Sequence, residues 1–365
     1  MLPCCELVVF DPSGELFLLL NRDATQSEVV AHDAHGDDAQ EQDVSHLSNN
    51  EEPSNNTFTG LWSKTSTQAV EMQVSLKHLS LASKFFANMF GDQSLDLNGH
   101  EPNNKEMRTI PLQGDDFYSL QILLNIIHGL TRRVPRQVER NILLQAVILI
   151  DKYEFHEVAE VFTDMWFESL RPTLPRNLHR DIASWIYICW SLGKSEEFEA
   201  LTEIAILETD NGLEDPDVPV PFWIIAEIRS YRREILTEFL SILSSLIDRY
   251  EGPRCLCRRD KDCDALLLGK LIKGLKNIGL YPVPDALLLN RSIKSLFAAV
   301  RDMELSPLCK ELTKKERKGY SSLDDEESFR RTYHLKEELH NSISSLEKKF
   351  RGLQLKNGGK SEVRS

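Results

Sequence analysis

Two groups of side chains have residue types and spacings that metal chemistry can use. In the first, His156, Glu157 and Glu160 follow the spacing H-E-x-x-H of zinc hydrolases, except that a glutamate replaces the second histidine. A helix places residues i and i+4 on one face, so His156 and Glu160 could share a metal ion. A zinc hydrolase needs three protein ligands and a general base, and the sequence shows no third ligand for this pair. We therefore interpret the pair as structural.

The second group is Cys255, Cys257 and Cys263, which lie within a short stretch rich in Arg and Lys. Thiolates bind zinc, with Cys309 or a histidine as a fourth ligand, and neighbouring cations lower thiol pKa values. The spacing is not that of a standard zinc finger, however, and Cys263 opens an apolar helix, where a thiol is commonly buried. A metal site and a redox-sensitive loop stay open, and a structural role is favoured. We therefore predict no cofactor and no metal site beyond this weak candidate.

Other catalytic signatures are missing from the sequence. It contains no glycine-rich phosphate loop and no G-x-S-x-G turn. Catalysis needs a nucleophile, a base and an orienting group in one cleft, and the sequence offers no such set. With 43 basic and 57 acidic residues, the formal charge of −14 disfavours binding to a phosphate backbone. We predict a protein without enzymatic activity that binds neither nucleic acid nor a small-molecule substrate.

Composition indicates a globular chain inside the cell. A length of 365 residues suggests about two domains, and 41% hydrophobic residues suffice for a core. No secretory signal is visible, and the longest apolar runs fall short of the roughly 18 residues that span a membrane. Seven scattered cysteines suit a reducing compartment. We predict the cytoplasm, the nucleus or both, without membrane attachment.

The elements that would position these residues begin with β-structure. Two β-rich runs, Cys4–Phe10 and Leu16–Asn21, flank the turn Asp11–Gly14, which predicts a β-hairpin. Residues 23–60 contain nine acidic residues and no Lys or Arg, with few apolar ones, which predicts a disordered insertion.

The next part of the chain mixes strands and helices. Hydrophobic periodicity there predicts two strands and four helices. The strands are Ala69–Leu76 and Met107–Leu112, and the helices are Ser80–Phe90, one from Asp115 or Asp116 to His128, Val138–Tyr153 and Phe155–Leu170.

From residue 177 onward the pattern is almost wholly helical. Predicted helices cover 177–192, 195–208, 222–249, 263–279 and 289–303. The segment from residue 306 holds 14 basic and 10 acidic residues. A short amphipathic helix is predicted within it by 4-3-4-3 spacing of Leu339, Ile343, Leu346, Phe350 and Leu353.

Several motifs occur in the order found in the BTB/POZ family. Residues 74–90 are similar to the family's strand followed by L-x-x-x-S-x-x-F-x-x-M-F. Residues 110–129 resemble its strand, Asp-Asp pair and helix ending in a glycine, and Leu149–Tyr153 resembles its A-D-K-Y helix. Cys263–Leu275 is similar to a segment that recurs downstream in fungal BTB proteins. The chain therefore resembles a BTB/POZ protein of the fungal type.

This resemblance implies an architecture and a function. The α+β BTB-like domain would cover residues 4–170, interrupted by the disordered segment 23–60. An all-α helical extension over 175–303 and a charged tail over 306–365 would follow. BTB domains act as scaffolds or adaptors that bind protein partners or themselves. The partner surface would use Leu79, Phe85, Phe86, Met89, Phe90, Phe117 and Leu120.

Two alternative functions stay open. A substrate adaptor of a cullin-type ubiquitin ligase would make its contact through Leu79–Phe90 and the loop Gly91–Lys105. A nuclear or transcriptional regulator would use Lys314–Lys318 as a nuclear address.

Three differences from the family bear on these functions, and monomer and homodimer both stay open. Ser75 and Leu76 replace the family's usual His-Lys pair, and Gly91–Asn98 lacks the hydrophobic-x-Glu motif of many cullin adaptors. The chain begins close to its first strand, which is more similar to elongin C and the Skp-type adaptors.

Overall fold

The chain forms a mixed α+β structure that is mostly helical, as predicted. The computed structural model describes residues 6–22, 68–91, 108–213, 218–253, 256, 262–306 and 335–355. The chain divides into two compact units. Unit 1 combines Met1–Arg136 with Leu149–Glu160, and unit 2 combines Gln137–Ile148 with Val161–Ser365. The acidic segment 23–60 lies outside the described residues, and the domain limits at 170, 175 and 306 stay predictions.

The sheet lies in unit 1, where the described residues form four strands. They are β1 (Glu6–Val9), β2 (Leu16–Arg22), β3 (Gln68–Val74) and β4 (Arg108–Leu112), in the spatial order β1-β3-β2-β4. β3 runs parallel to β1 and antiparallel to β2, and β4 runs parallel to β2. Alternate side chains of the central strands face the core, so Leu16, Leu18 and Leu20 are buried.

The predicted hairpin between Cys4–Phe10 and Leu16–Asn21 is wrong. β3 lies between β1 and β2 and pairs with both, so the antiparallel pair is β2 with β3. A tight hairpin turn joins strands about 4.8 Å apart, whereas the connection after β1 crosses the end of β3 and covers about twice that distance. Local turn chemistry was visible in the sequence, but strand pairing depends on a segment that is distant along the chain.

Gly14 is required by a close backbone approach. A Cβ atom at this position would lie 2.5 Å from the carbonyl oxygen of Val74. The same connection is held by the Gln73 side-chain amide, which donates to the carbonyl oxygen of Gly14 at 2.9 Å. The backbone N–H of Phe10 donates to the carbonyl of Gln73. These contacts fix the crossing over the end of β3.

Two short helices replace the single helix predicted for Ser80–Phe90. They are α1 (Leu76–Ala82) and α2 (Lys84–Gly91), and Ser83 between them is extended, with φ −147° and ψ 123°. The Ser83 hydroxyl accepts a hydrogen bond from the backbone N–H of Phe86 at 3.1 Å. Serine satisfies an otherwise unpaired N–H at a helix start, which explains why α2 begins here.

The remaining helices of the first half agree with the predictions. They are α3 (Phe117–Ile127), α4 (Arg140–Tyr153) and α5 (His156–Leu170). Asp116, not Asp115, caps α3, because its carboxylate accepts from the N–H of Ser119 at 2.8 Å. α4 and α5 each contribute residues to both units.

The described residues of unit 2 form helices joined by turns and loops, which confirms the helices predicted between residues 177 and 303 and the short helix in the tail. The helices are α6 (Ile182–Ser191), α7 (Ser195–Glu208), α8 (Phe222–Glu251), α9 (Asp262–Asn277), α10 (Ile293–Arg301) and α11 (Leu335–Lys349). Its core contains large buried aromatic side chains, among them Trp166, Phe167, Phe198, Phe239 and Phe297.

Candidate functional site

Residues from three separate motifs meet in unit 1. The Tyr153 hydroxyl donates to Asp115, and the Lys152 ammonium forms an ion pair with the same buried carboxylate. The Ser83 hydroxyl donates to the carbonyl oxygen of Tyr153. Burial, together with the bond to Asp115, raises the pKa of Tyr153. This network connects the start of α2, the start of α3 and the end of α4.

An aromatic cluster lies beside this network. Phe86 stacks on Tyr153 with ring centroids 5.3 Å apart, and also on Phe90 and Phe155 at 6.1 and 5.9 Å. Phe86 is only 2% exposed. The cluster and the network therefore fix the orientation of α2, which determines which of its side chains reach the surface.

A histidine fixes the start of α1. The backbone N–H of Ser75 donates to His128 Nε2 at 3.0 Å, so the ring is neutral and Nδ1 carries the proton. Nδ1 then donates to the carbonyl oxygen of Leu124 at 2.9 Å. The Ser75 hydroxyl caps α1 by accepting from the N–H of His78. Ser75 thus links the end of β3, the start of α1 and the end of α3.

Unit 1 should lose stability in mild acid because His128 must stay neutral. Burial lowers the pKa of His128, and the nearby His78 lowers it further, while the bond to Leu124 and the charge of Asp11 act in the opposite direction. A folded-state pKa below the unfolded value of about 6.5 means that the unfolded chain binds the proton more tightly. Stability should therefore be complete above about pH 6.5 and fall below it, by at most about 1.4 kcal/mol per pH unit for one proton.

The measurement is urea unfolding at pH 7.5 and pH 5.5, and the stability of unit 1 is monitored by hydrogen exchange of its peptides. The control is His128→Gln, whose amide oxygen can accept from Ser75 without titrating. We expect a smaller pH dependence in this variant. An equal pH dependence in both chains would assign the effect to other groups.

The predicted partner residues separate into two groups. Leu79, Phe86, Phe90, Phe117 and Leu120 are buried, the most exposed of them, Phe117, at only 8%. Phe85 and Met89 are 37% and 42% exposed and lie four residues apart on one face of α2. The buried residues pack the core, so the surface available to a partner is carried by Phe85 and Met89.

Leu81 belongs to the exposed set, although the sequence reasoning did not select it. Its side chain is 79% exposed on α1. Under a single helix over Ser80–Phe90, Leu81 and Phe85 share the apolar stripe of one continuous element. Because the chain breaks at Ser83, Leu81 lies on a separate helix, and its exposure does not follow from the position of the apolar side of α2. We call Leu81, Phe85 and Met89 the α1–α2 surface.

Of the two candidate metal groups, the described residues include the His156–Glu160 pair but only Cys263 of the cysteine group. His156 Nε2 contacts Asp151 at 2.9 Å, and its side chain is 43% exposed. Cys263 is fully buried on α9, whereas Cys255 and Cys257 lie outside the described residues. Lys314–Lys318 and most of the 91–105 segment also lie outside them. In the part of the chain that the structure describes, no group of three or more His, Cys, Asp or Glu could hold a metal ion.

Two open grooves run along α8, and both include Thr237 and Ser241. Glu238, at one of them, forms an ion pair with Lys349 at 2.6 Å. Among the described helices, none has the length and apolar character to cross a membrane.

Comparisons with known proteins add no assignment. A scan of protein-family models, a search of curated proteins and a search of solved structures each found no match for this chain.

Proposed function

We propose that this chain is a non-catalytic protein-interaction module of the BTB/POZ type, similar to fungal BTB proteins, and that it acts as a scaffold or adaptor. The observation that carries the proposal is the α1–α2 surface, where three apolar side chains are exposed on helices whose opposite sides are buried. Exposed apolar residues on a rigid support are typical of protein contacts.

The order of the elements over residues 68–170 supports the BTB resemblance. Strand β3, a helix pair, a further strand and then helices α3, α4 and α5 follow one another along the chain, whereas the hairpin expected before them is replaced by the pairing of β3 with both β1 and β2. Residues of the Asp-Asp, A-D-K-Y and Leu-rich motifs meet in one network through Asp115, Tyr153 and Ser83. These are the motifs on which the resemblance rests.

The surface is suited to a protein partner because its support is rigid. Phe85 makes edge contacts with Phe86 and Tyr153, at 5.2 and 5.5 Å between ring centroids. A side chain held in this way loses little conformational entropy when a partner covers it. Met89 adapts its shape to a contact because its side chain is unbranched.

A cullin-type ubiquitin ligase is the second candidate partner. The exposed residues Phe85 and Met89 lie in the segment that such an adaptor would use, directly before residues 91–105. The adaptor alternative therefore uses the same surface and differs in the partner.

Charged residues on the α1–α2 surface should abolish partner binding without unfolding the chain. We choose Leu81→Asp with Met89→Asp and leave Phe85 in place, because Phe85 contacts the buried cluster. The measurement is affinity purification of the tagged full chain from its own cells, with quantitative mass spectrometry. Desolvating two carboxylates should reduce the recovered partner by at least about ten-fold.

The matched control is Leu266→Asp, at a leucine on α9 of unit 2 that is 37% exposed. It should leave recovery unchanged, and circular dichroism should show the same helix content in all chains. A near-stoichiometric cullin would identify the adaptor function. Equal recovery by the double variant and the wild type would remove the α1–α2 surface from the interaction.

A further inference from the structure

The tail helix α11 packs on unit 2 through the apolar residues of one of its sides. Its apolar residues face α8 and α10 in unit 2, and every one of them is 7% exposed or less. Together with two residues that follow the helix, they are Leu335, Leu339, Ile343, Leu346, Phe350 and Leu353. The opposite face of α11 is polar. We call the surface of α7, α8 and α10 on which α11 and the residues after it pack the seat. The seat therefore accepts the apolar stripe of an amphipathic helix.

Charge pairs fix the register of α11. The Arg249 guanidinium donates to both carboxylate oxygens of Glu338, at 2.7 and 2.6 Å. Arg301 makes the same bidentate contact with Glu347, at 2.8 and 2.6 Å. His340 Nε2 donates to the carbonyl oxygen of Arg301 at 3.1 Å. Bidentate arginine pairs specify orientation as well as charge, so the seat selects carboxylates at two positions of the bound helix.

A glycine closes the end of the seat. A Cβ atom on Gly352 would lie 1.7 Å from the carbonyl oxygen of Glu199 and 2.8 Å from Thr202 Oγ1. The backbone N–H of Leu353 donates to the same Thr202 hydroxyl at 2.8 Å. The segment after α11 thus lies directly on α7, where any side chain at position 352 would be excluded.

The helices that form the seat also pack on one another. α7 contacts both α8 and α10. Phe239 of α8 and Phe297 of α10 lie 5.0 Å apart between ring centroids. Arg232 of α8 donates to carbonyl oxygens of Ile206 and Arg291. In sequence, α11 is separated from α10 by residues 302–334, so it reaches the seat from a distant part of the chain.

We propose that α11 with residues 350–355 is a displaceable strap over a helix-binding seat on α7, α8 and α10, and that the seat takes an amphipathic helix of a partner protein. That helix would carry apolar residues at the spacing of Leu335, Leu339, Ile343 and Leu346, and carboxylates facing Arg249 and Arg301. The partner has to displace the strap, which makes the seat available only to a helix that binds strongly. This inference is independent of the proposed function because all of its residues lie in unit 2.

The test uses Gly352→Ala in the full chain to release the strap. The probe is a fluorescent peptide of residues 335–355, whose binding is followed by anisotropy. A tethered competitor acts at an effective concentration on the order of millimolar, so the peptide should bind the variant at least about ten-fold more tightly than the wild type. Gly269→Ala in α9 is the matched control, because nothing lies within 4 Å of its added Cβ. It should bind the peptide as the wild type does.

Two peptide variants test the chemistry of the seat. Peptides with Gly352→Ala, or with both Glu338→Lys and Glu347→Lys, should not bind the released chain. Equal peptide binding by the wild type and Gly352→Ala, or binding by neither, would overturn the proposal. Unfolding of the Gly352→Ala variant, seen as loss of the native tryptophan fluorescence, would also overturn the proposal, because α11 would then be an integral part of unit 2. If the wild type forms a dimer in which α11 of each copy binds the seat of the other, the seat serves self-association, and the proposed partner helix is wrong.

Discussion

Replacing Phe86 by alanine should lower the free energy of unfolding of unit 1 by about 3–5 kcal/mol. Phe86 is 2% exposed and stacks on Phe90, Tyr153 and Phe155. Truncation removes these contacts and leaves a cavity that the surrounding rings fill only in part. The effect should be measured by hydrogen exchange with mass spectrometry, on peptides that cover β3, α2 and the end of α4.

The neighbouring residue provides the control for this prediction. Phe85→Ala changes the same residue type at the next position of α2, but Phe85 is 37% exposed. It should cost less than about 1.5 kcal/mol, because only the two edge contacts with Phe86 and Tyr153 are lost and no closed cavity forms. The two variants should also differ in function, since Phe85 belongs to the α1–α2 surface and Phe86 does not. Equal destabilisation by both would contradict the assignment of one ring to the core and the other to the surface.

Replacing Arg232 by methionine should destabilise unit 2 by at least about 3 kcal/mol. The Arg232 side chain is buried in unit 2, at 4% exposure, and donates to the carbonyl oxygens of Ile206, Asp210 and Arg291. Methionine has a similar length but no donor, so three carbonyl groups lose their partner. Each buried acceptor that is left without a hydrogen bond costs about 1–3 kcal/mol.

Tryptophan fluorescence during urea unfolding reports on this change, because four of the five tryptophans, Trp166, Trp185, Trp190 and Trp223, belong to unit 2. The control is Arg233→Met, at the next position of α8, where the side chain is exposed. It should alter the unfolding free energy by no more than about 0.5 kcal/mol. A loss of comparable size in Arg233→Met would show that charge on α8, and not the three carbonyl contacts, supports the unit.

Arg232 also shows what kind of signal the sequence contained. In α8 it lies on the stripe that includes Ile228, Ile235 and Phe239, all of which are buried. A polar residue on an apolar stripe indicates a buried hydrogen-bonding group. Its carbonyl partners could not be inferred, because they lie in other elements of the chain. Asp210 follows α7, and Arg291 lies just before α10.

The sequence by itself determined most of the helices and strands, but not the break between α1 and α2. Helical periodicity is a local property, so α3 to α11 were predicted within a few residues of their observed ends. The amphipathic stripe of the tail was also visible in the spacing of Leu339, Ile343 and Leu346, whereas Phe350 and Leu353, which were expected on the same helix, follow its end. Capping chemistry narrowed the start of α3 to Asp115 or Asp116 for the same reason.

Only the tertiary structure decided how these elements pair. β3 separates β1 from β2 because strand pairing joins distant segments, and the pattern of one strand does not name its neighbour. The side of α2 that is exposed depends on the cluster around Tyr153, which places Phe86 inside and Phe85 outside. The seat of α11 depends on Arg249 and Arg301, whose carboxylate partners are distant in sequence. Local patterns set which residues can share a face, whereas long-range packing sets what that face contacts.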